Sequence, residues 1–153
     1  MSLGSGFPED FRVAQIKRRL RPGAVIKLFR RMDDGQLHEK RFIVLYVDEH
    51  TTTCVINSEI GHFIRARPAL LRCQVLMQRE HHDFMDHDSH VDCSRVRSFL
   101  TEEVIADLMS RPEWILGDAT SSCCDDIVAG IKASETLSVA EVERISSSLG
   151  RRA

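Results

Sequence analysis

The stretch "RFIVLYVD", residues 41–48, contains an unbroken apolar run from Phe42 to Val47 in which β-branched and aromatic side chains dominate. Such a run is typical of a strand that is covered on both faces. Its length is that of a buried strand, far below the roughly 20 residues that a membrane-spanning helix needs. We therefore expect a central strand in a soluble protein that has no membrane partner.

Strand patterns lie on both sides of this run. Residues 24–32, "AVIKLFRRM", lead into the turn "DDGQ", and residues 53–58, "TCVINS", follow the turn "EHTT". Residues 69–78, "ALLRCQVLMQ", alternate apolar and polar side chains, and residues 89–99, "SHVDCSRVRSF", read as a fifth strand. Short strands joined by turns, without helices between them, predict a small antiparallel barrel or a strongly bent sheet.

Helical patterns flank the strands. Residues 8–20, "PEDFRVAQIKRRL", predict a short amphipathic helix. After Phe99 the period changes, and residues 101–109, 121–134 and 137–149 predict three helices, the last opening with an S-x-x-E capping box. The predicted fold class is therefore α+β, with a short N-terminal helix, a small antiparallel barrel and a C-terminal helical appendage.

The chain has 153 residues, of which 42% are hydrophobic and 29% charged, enough for one core. We expect residues 1–7 to be a flexible terminus or tag remnant, residues 8–100 to form the N-terminal helix and barrel, and residues 101–153 to form a helical region packed on the barrel. The first 100 residues hold 16 Lys and Arg against 13 Asp and Glu, and the rest hold 5 against 10. A mildly basic body is therefore joined to an acidic tail.

The five cysteines occupy irregular positions and include no C-x-x-C pair. Reduced thiols in a cytoplasmic protein are the simplest account of this pattern. Cys54 and Cys93 lie in strand-like runs, where a buried thiol behaves as a small hydrophobic group.

Three segments together resemble the MazF/PemK plasmid-maintenance toxins: "RPGAVIKL", then "KRFIVLYVDEHTTTCVINSEI", then "DSHVDCSRVRSF". The resemblance spans about residues 21–100, and Arg95 to Phe99 stand where the family has a Gln-Val-Lys/Arg-(Ser/Thr)-Ile pattern. It implies an SH3-like barrel. The chain departs from the family where Arg41-Phe42 replaces Arg-Pro and Gly23-Ala24 replaces Gly-Asp.

The resemblance implies an endoribonuclease that cuts single-stranded RNA without a metal or other cofactor. It also implies a homodimer that holds RNA in a groove across the two barrels, and an antitoxin protein as partner. The matching catalytic positions are Arg41 and Ser58. Cleavage needs a proton acceptor for the 2′-hydroxyl, a cation near the phosphate and a proton donor for the leaving oxygen.

The residues themselves leave two readings of this pair. Arg41 begins the apolar strand and Ser58 ends its hairpin partner, so antiparallel pairing puts both at one edge of the sheet, where they can hold a phosphate. In the other reading, Lys40 and Arg41 are solvated residues at a strand end. Asn57 and Ser58 then only close their strand with side-chain hydrogen bonds.

The His/Asp-rich stretch "EHHDFMDHDS", residues 80–89, also has two readings. Asp83 and His87, with His90, can be metal ligands, but no distant pair of histidines completes a set. The stretch can instead be a loop that lines the groove, where a histidine assists proton transfer near neutral pH. The predicted RNA contacts are Lys40, Asn57, His81, His82, His90, Arg95 and Arg97.

Two further hypotheses stay open beside the nuclease: a non-catalytic SH3-like module that binds a protein or nucleic-acid partner, and a metal-dependent hydrolase. Tyr46 and Trp114, the only Tyr and Trp, lie in the central strand and the helical tail, and neither position favours base stacking. The acidic tail either covers a basic groove as a brake or packs on the barrel to enlarge its core.

Overall fold

The computed structural model describes residues 3–150, which form one curled antiparallel sheet, an open half-barrel, with helices on both faces. The α+β class, the antiparallel sheet, the N-terminal helix and the C-terminal helices are confirmed. The strands are β1 (Ala24–Arg31), β2 (Leu37–Val47), β3 (His50–Asn57), β4 (Gln74–Met77), β5 (Ser89–Asp92), β6 (Arg97–Leu100) and β7 (Ile115–Asp118). The helices are α1 (Leu3–Arg19), α2 (His62–Arg65), α3 (Pro68–Leu71), α4 (Thr101–Ser110), α5 (Ser121–Ala133) and α6 (Val139–Gly150).

The strands are ordered β4-β5-β3-β2-β1-β7, and β6 pairs with β3 beside β5. The apolar run of β2 therefore lies in the centre of the sheet, as predicted. Its side chains from Phe42 to Leu45 are fully buried. A bulge between Val44 and Tyr46 interrupts the pairing of β2 with β3 and leaves Leu45 as the extra residue.

Alternation along the strands divides the core between the two faces of the sheet. Ile43 and Ile56 belong to a cluster that includes buried residues of α5 and α6, while Phe42 and Val44 belong to a second cluster on the other face. The second cluster is closed by residues of α1 and α4, together with Leu20. Both faces of β2 are thus covered, and this accounts for its continuous apolar sequence.

Three elements differ from the sequence prediction. Only Gln74–Met77 of residues 69–78 is a strand, because Pro68 starts a helical turn just before it. Residues 89–99 divide into β5 and β6, which pair with different parts of β3. Strand β7, which pairs with β1, was not predicted from the sequence.

The helix starts follow local rules. Thr120 caps α5, because its Oγ1 accepts a hydrogen bond from the Cys123 amide at 3.1 Å. The predicted capping box before α6 is confirmed: the Glu141 amide donates to Ser138 Oγ at 3.1 Å, and Glu141 Oε1 accepts from the Ser138 amide at 3.5 Å. Helix α1 begins at Leu3, ahead of the predicted start at Pro8.

All five cysteines are buried. Within residues 3–150, no helix is both long enough and apolar enough to cross a membrane. The predicted terminus 1–7 and the predicted helical region 101–153 both extend beyond the described residues.

Candidate functional site

Strands β2 and β3 end at different points, and this shapes the candidate site. Pairing of β2 with β3 starts at Arg41, opposite Ile56, whereas residues 37–40 of β2 pair only with β1. The chain leaves the sheet after Asn57, the last residue of β3. Two cavities lie beside this gap, and Lys40 lines both of them.

The small cavity has a volume of about 360 Å³ and brings Arg41 and Ser58 together. Arg41 lines this cavity with 21% of its side chain exposed, and Ser58 lies on the exposed bend after β3. The two residues have the spatial relation that antiparallel pairing predicts. The other lining residues are Lys27, Glu39, Lys40, Ile56, His87 and Ser89.

Arg41 has an acidic partner from the His/Asp-rich stretch. Its Nη2 donates a hydrogen bond to Asp86 Oδ2 at 3.1 Å, and the Asp86 side chain is 80% exposed. This hydrogen bond, with the positive charge of Arg41, lowers the pKa of Asp86 below its usual value. Lys27 is neutralised in a similar way by Glu39, at 3.0 Å.

His87 is the residue that the sequence did not single out for this site. Its Nδ1 lies 2.9 Å from the carbonyl oxygen of Asp88. Because a carbonyl only accepts, Nδ1 carries the proton, and the neutral ring has its lone pair on Nε2. The buried Ser89 hydroxyl lies 3.3 Å from the same Nδ1. His87 is exposed at the cavity and therefore offers a proton acceptor there.

The other predicted histidines lie elsewhere. His82 is buried: its Nδ1 donates to the Gln78 carbonyl at 2.7 Å, and its Nε2 accepts from the Thr120 amide at 3.1 Å. It therefore joins the stretch to the start of α5. His81 is exposed on a single helical turn, and His90 is half-buried opposite Asn57 in the β3–β5 pair.

The stretch itself is anchored to the core. Met85 is 1% exposed, and Phe84 packs over Gly117 of β7, where a Cβ would lie 2.6 Å from Cδ2 of the ring. These contacts hold the neighbouring Asp86 and His87 beside β2. Among the described residues, no group of three or more His, Cys, Asp or Glu side chains is arranged to hold a metal ion.

The large cavity has a volume of about 820 Å³ and collects four of the predicted RNA contacts: Lys40, Asn57, Arg95 and Arg97. Arg95 and Arg97 both donate to Asp33, each with a shortest distance of 3.0 Å. The apolar part of its wall is formed by Met32, Val55, Phe63, Ile64 and Leu70.

Lys40 carries a charge that no carboxylate in residues 3–150 neutralises. Its Nζ donates to the neutral Asn57 Oδ1 at 3.2 Å. Burial, and then the nearby positive charge of Arg97, lower the pKa of Lys40 below its ordinary value. Lys40 therefore gives up its proton more readily than a solvated lysine.

A scan of the sequence against protein-family models finds no match, and a search of the curated proteins finds none either. We therefore infer function from the arrangement of the side chains.

Proposed function

We propose that this chain cleaves single-stranded RNA in the small cavity, using protein side chains as its catalytic groups. The observation that carries the proposal is the meeting of Arg41, Ser58 and His87 around one cavity of about 360 Å³. The imidazole can serve as the proton acceptor and the arginine as the cation near the phosphate, two of the groups that metal-independent cleavage needs, and the hydroxyl can orient the phosphate. We include in the proposal the SH3-like architecture that the resemblance to MazF/PemK toxins implies, which the curled sheet supports.

The first half of the reaction uses His87. Its Nε2 takes the proton from the ribose 2′-hydroxyl, and the 2′-oxygen then attacks the adjacent phosphorus. Negative charge grows on the non-bridging oxygens of the phosphate, where the Arg41 guanidinium donates hydrogen bonds. The Ser58 hydroxyl orients the same phosphate from the other strand.

The second half of the reaction uses Lys40. The bond from phosphorus to the 5′-oxygen breaks, and this oxygen takes a proton from the ammonium group of Lys40, which leaves Asn57 at the wall of the large cavity to reach it. The lowered pKa of Lys40 suits it to this role. The products are a 2′,3′-cyclic phosphate on one fragment and a 5′-hydroxyl on the other, so each proton and bond is accounted for.

The direct test is incubation of purified full-length protein with a single-stranded RNA oligonucleotide, with EDTA and, separately, with added divalent metal. We expect cleavage in both, with cyclic phosphate ends identified by mass spectrometry. His87→Ala should lower the rate by about 10²–10⁴-fold, and Arg41→Ala by about 10²–10³-fold. Matched controls are His50→Ala, an exposed histidine at the far end of β3, and Arg18→Ala in α1. Intact RNA in all wild-type samples overturns the proposal.

The second candidate is a non-catalytic module that binds RNA or a protein. The observation that favours it is the pairing of two cavity cations in the free protein, Lys27 with Glu39 and Arg41 with Asp86. The larger cavity, with its partly apolar wall, offers a binding surface beside them. RNA that is bound but never cut is the result that selects this candidate. The dimer, the antitoxin and the cytoplasmic location stay predictions.

A further inference from the structure

A partly exposed aromatic cluster lies beside the small cavity. Phe29 of β1 is 46% exposed, and its ring centroid is 5.6 Å from that of Trp114, with the planes at 42°. The guanidinium carbon of Arg111 lies 4.5 Å from the Trp114 ring centroid and 5.7 Å from that of Phe29. The cluster therefore presents two rings and one planar cation together.

The register of β1 with β2 puts Phe29 on the same side of the sheet as Arg41, and β7 puts Trp114 at the neighbouring edge of β1. Ile26 pairs with Ile115, so the preceding residue, Trp114, lies next to Lys27, whose Nζ is 5.5 Å from the Trp114 ring centroid. Lys27 in turn pairs with Arg41 and lines the small cavity. The cluster and Arg41 are thus separated by about two strand spacings, ~10 Å.

From the sequence, Trp114 was not expected to contact a base, because Trp114 lies between predicted helices of the tail. In the fold, β7 returns this part of the chain to the edge of β1, so Trp114 lies beside the sheet. Trp114 also packs partly against the core under α1 and α4. Phe29 belongs to neither core cluster. Core packing therefore explains why an aromatic side chain is present at Trp114 but not at the exposed Phe29.

The charge around the cluster selects its occupant. Arg111 has no ion-pair partner within residues 3–150, and Lys27 and Arg41 lie between it and the small cavity, each paired with one carboxylate in the free protein. A ligand that fits both features carries flat rings and repeated negative charges. Single-stranded nucleic acid has this pattern, since its bases stack on aromatic rings and on arginine planes while its phosphates meet cations.

We propose that Phe29, Trp114 and Arg111 form a base-stacking subsite for a nucleotide next to the phosphate held by Arg41. The proposal rests on the proposed function, because it takes the RNA strand in the small cavity as its starting point. The base stacks on Phe29 and the Arg111 plane, beside Trp114. Stacking depends little on the identity of the base, so the subsite strengthens binding without reading sequence.

Trp114 supplies its own readout, because it is the only tryptophan in the chain. The full-length protein is titrated with a 2′-O-methyl oligonucleotide, which it cannot cleave, and with an abasic oligonucleotide of equal length. We expect saturable quenching of tryptophan fluorescence by the first and about 10-fold weaker binding of the second. Equal affinity for the two oligonucleotides, measured by anisotropy of a labelled end, overturns the subsite. This comparison uses the wild-type protein only.

Variants give the second arm. Phe29→Ala and Arg111→Ala should each remove most of the preference for the base-carrying oligonucleotide, while Phe11→Ala, an exposed phenylalanine of α1, should keep it. The two proposals fail separately. If the wild-type protein cleaves RNA but binds the abasic and the base-carrying oligonucleotides equally well, only the subsite is refuted. If its binding depends on the bases but it does not cleave RNA, only the nuclease is refuted. Absence of any binding refutes both.

Discussion

Arg41 and Asp86, 45 positions apart in the sequence, are joined by a hydrogen bond of 3.1 Å from Nη2 to Oδ2. The bond connects the central strand to the His/Asp-rich stretch, from which His87 also lines the small cavity. It also occupies the guanidinium that the proposed reaction needs for phosphate. Asp86 therefore competes with the substrate for Arg41.

The first prediction follows from this competition. Asp86→Ala should lower the KM for RNA by about 2- to 5-fold, because an exposed ion pair of this kind contributes little and its loss frees Arg41 for phosphate. The measurement is steady-state cleavage of a fluorogenic oligonucleotide. Asp83→Ala removes the same charge from the same exposed stretch, and equal effects of the two variants would show that only long-range charge matters.

The second prediction concerns Asp33, whose carboxylate receives hydrogen bonds from Arg97 and Arg95. The bond from Arg97 is the main cause that lowers the pKa of Asp33 in the folded protein. A lowered folded pKa means that the stabilisation is complete above the usual range of Asp, about 3.9, and is lost as the pH falls through the lower folded value.

We expect the urea midpoint of the wild type to fall more than that of Asp33→Asn when the pH is taken from about 6 to about 3. The difference is small, because the side chain is 65% exposed and solvent screens the pair. Asp125→Asn, an exposed residue with no side-chain hydrogen bond in the described part of the chain, is the control. A wild type and an Asp33→Asn variant with parallel pH dependence would contradict the assignment.

Much of the fold follows from local sequence patterns. The apolar run from Phe42 to Val47 predicts a strand covered on both faces, and Ser138 with Glu141 predicts the start of α6. Strand β7 has no such signal. Its four residues, Ile115–Asp118, include a glycine and become a strand only because β1 has a free edge beside them, which is a tertiary effect.

The candidate site is also predictable from the sequence only in part. Arg41 and Ser58 come together by hairpin register, which can be read from two strand ends and a turn. His87 cannot be identified in this way, because four histidines lie within residues 81–90. The one that faces the cavity is decided by where Phe84 and Met85 enter the core, and the sequence does not specify those contacts.

The third prediction tests the role of the helical tail. Ile131 of α5 is fully buried in the cluster that Ile43 also joins, so Ile131→Ala should destabilise the protein by about 2–5 kcal/mol in urea unfolding. Lys132→Ala, the exposed neighbour, should have little effect. Of the described tail, Thr136 alone lines the large cavity and no residue lines the small one.

Removal of residues 119–153 is therefore expected to unfold the protein rather than to activate it. The deletion takes away buried core residues of α5 and α6, and a sheet that loses this layer exposes one apolar face. Circular dichroism and RNA cleavage by the truncated chain check this. A folded fragment with increased cleavage would support the brake and contradict the packing role.

The fourth prediction links packing to chemistry through Gly117. A Cβ at this position would lie 2.6 Å from Cδ2 of Phe84, so Gly117→Ala must displace the ring. We expect a loss of about 1–3 kcal/mol in the free energy of unfolding. Phe84 is three residues from His87, and a shift of about 1 Å in a catalytic group costs on the order of 100-fold in rate. Steady-state kcat/KM and urea unfolding measure the two effects.

The control for this change is Gly150→Ala, since nothing lies within 4 Å of the added methyl group. The double variant Gly117→Ala with Phe84→Leu relieves the clash with a smaller side chain and should recover stability more than activity, because the leucine does not restore the original position of the stretch. If Gly117→Ala unfolds more easily but cleaves RNA at the wild-type rate, the position of His87 does not depend on Phe84. The packing of Phe84 on Gly117 would then serve stability only, and the role of His87 as proton acceptor would rest on the His87→Ala variant.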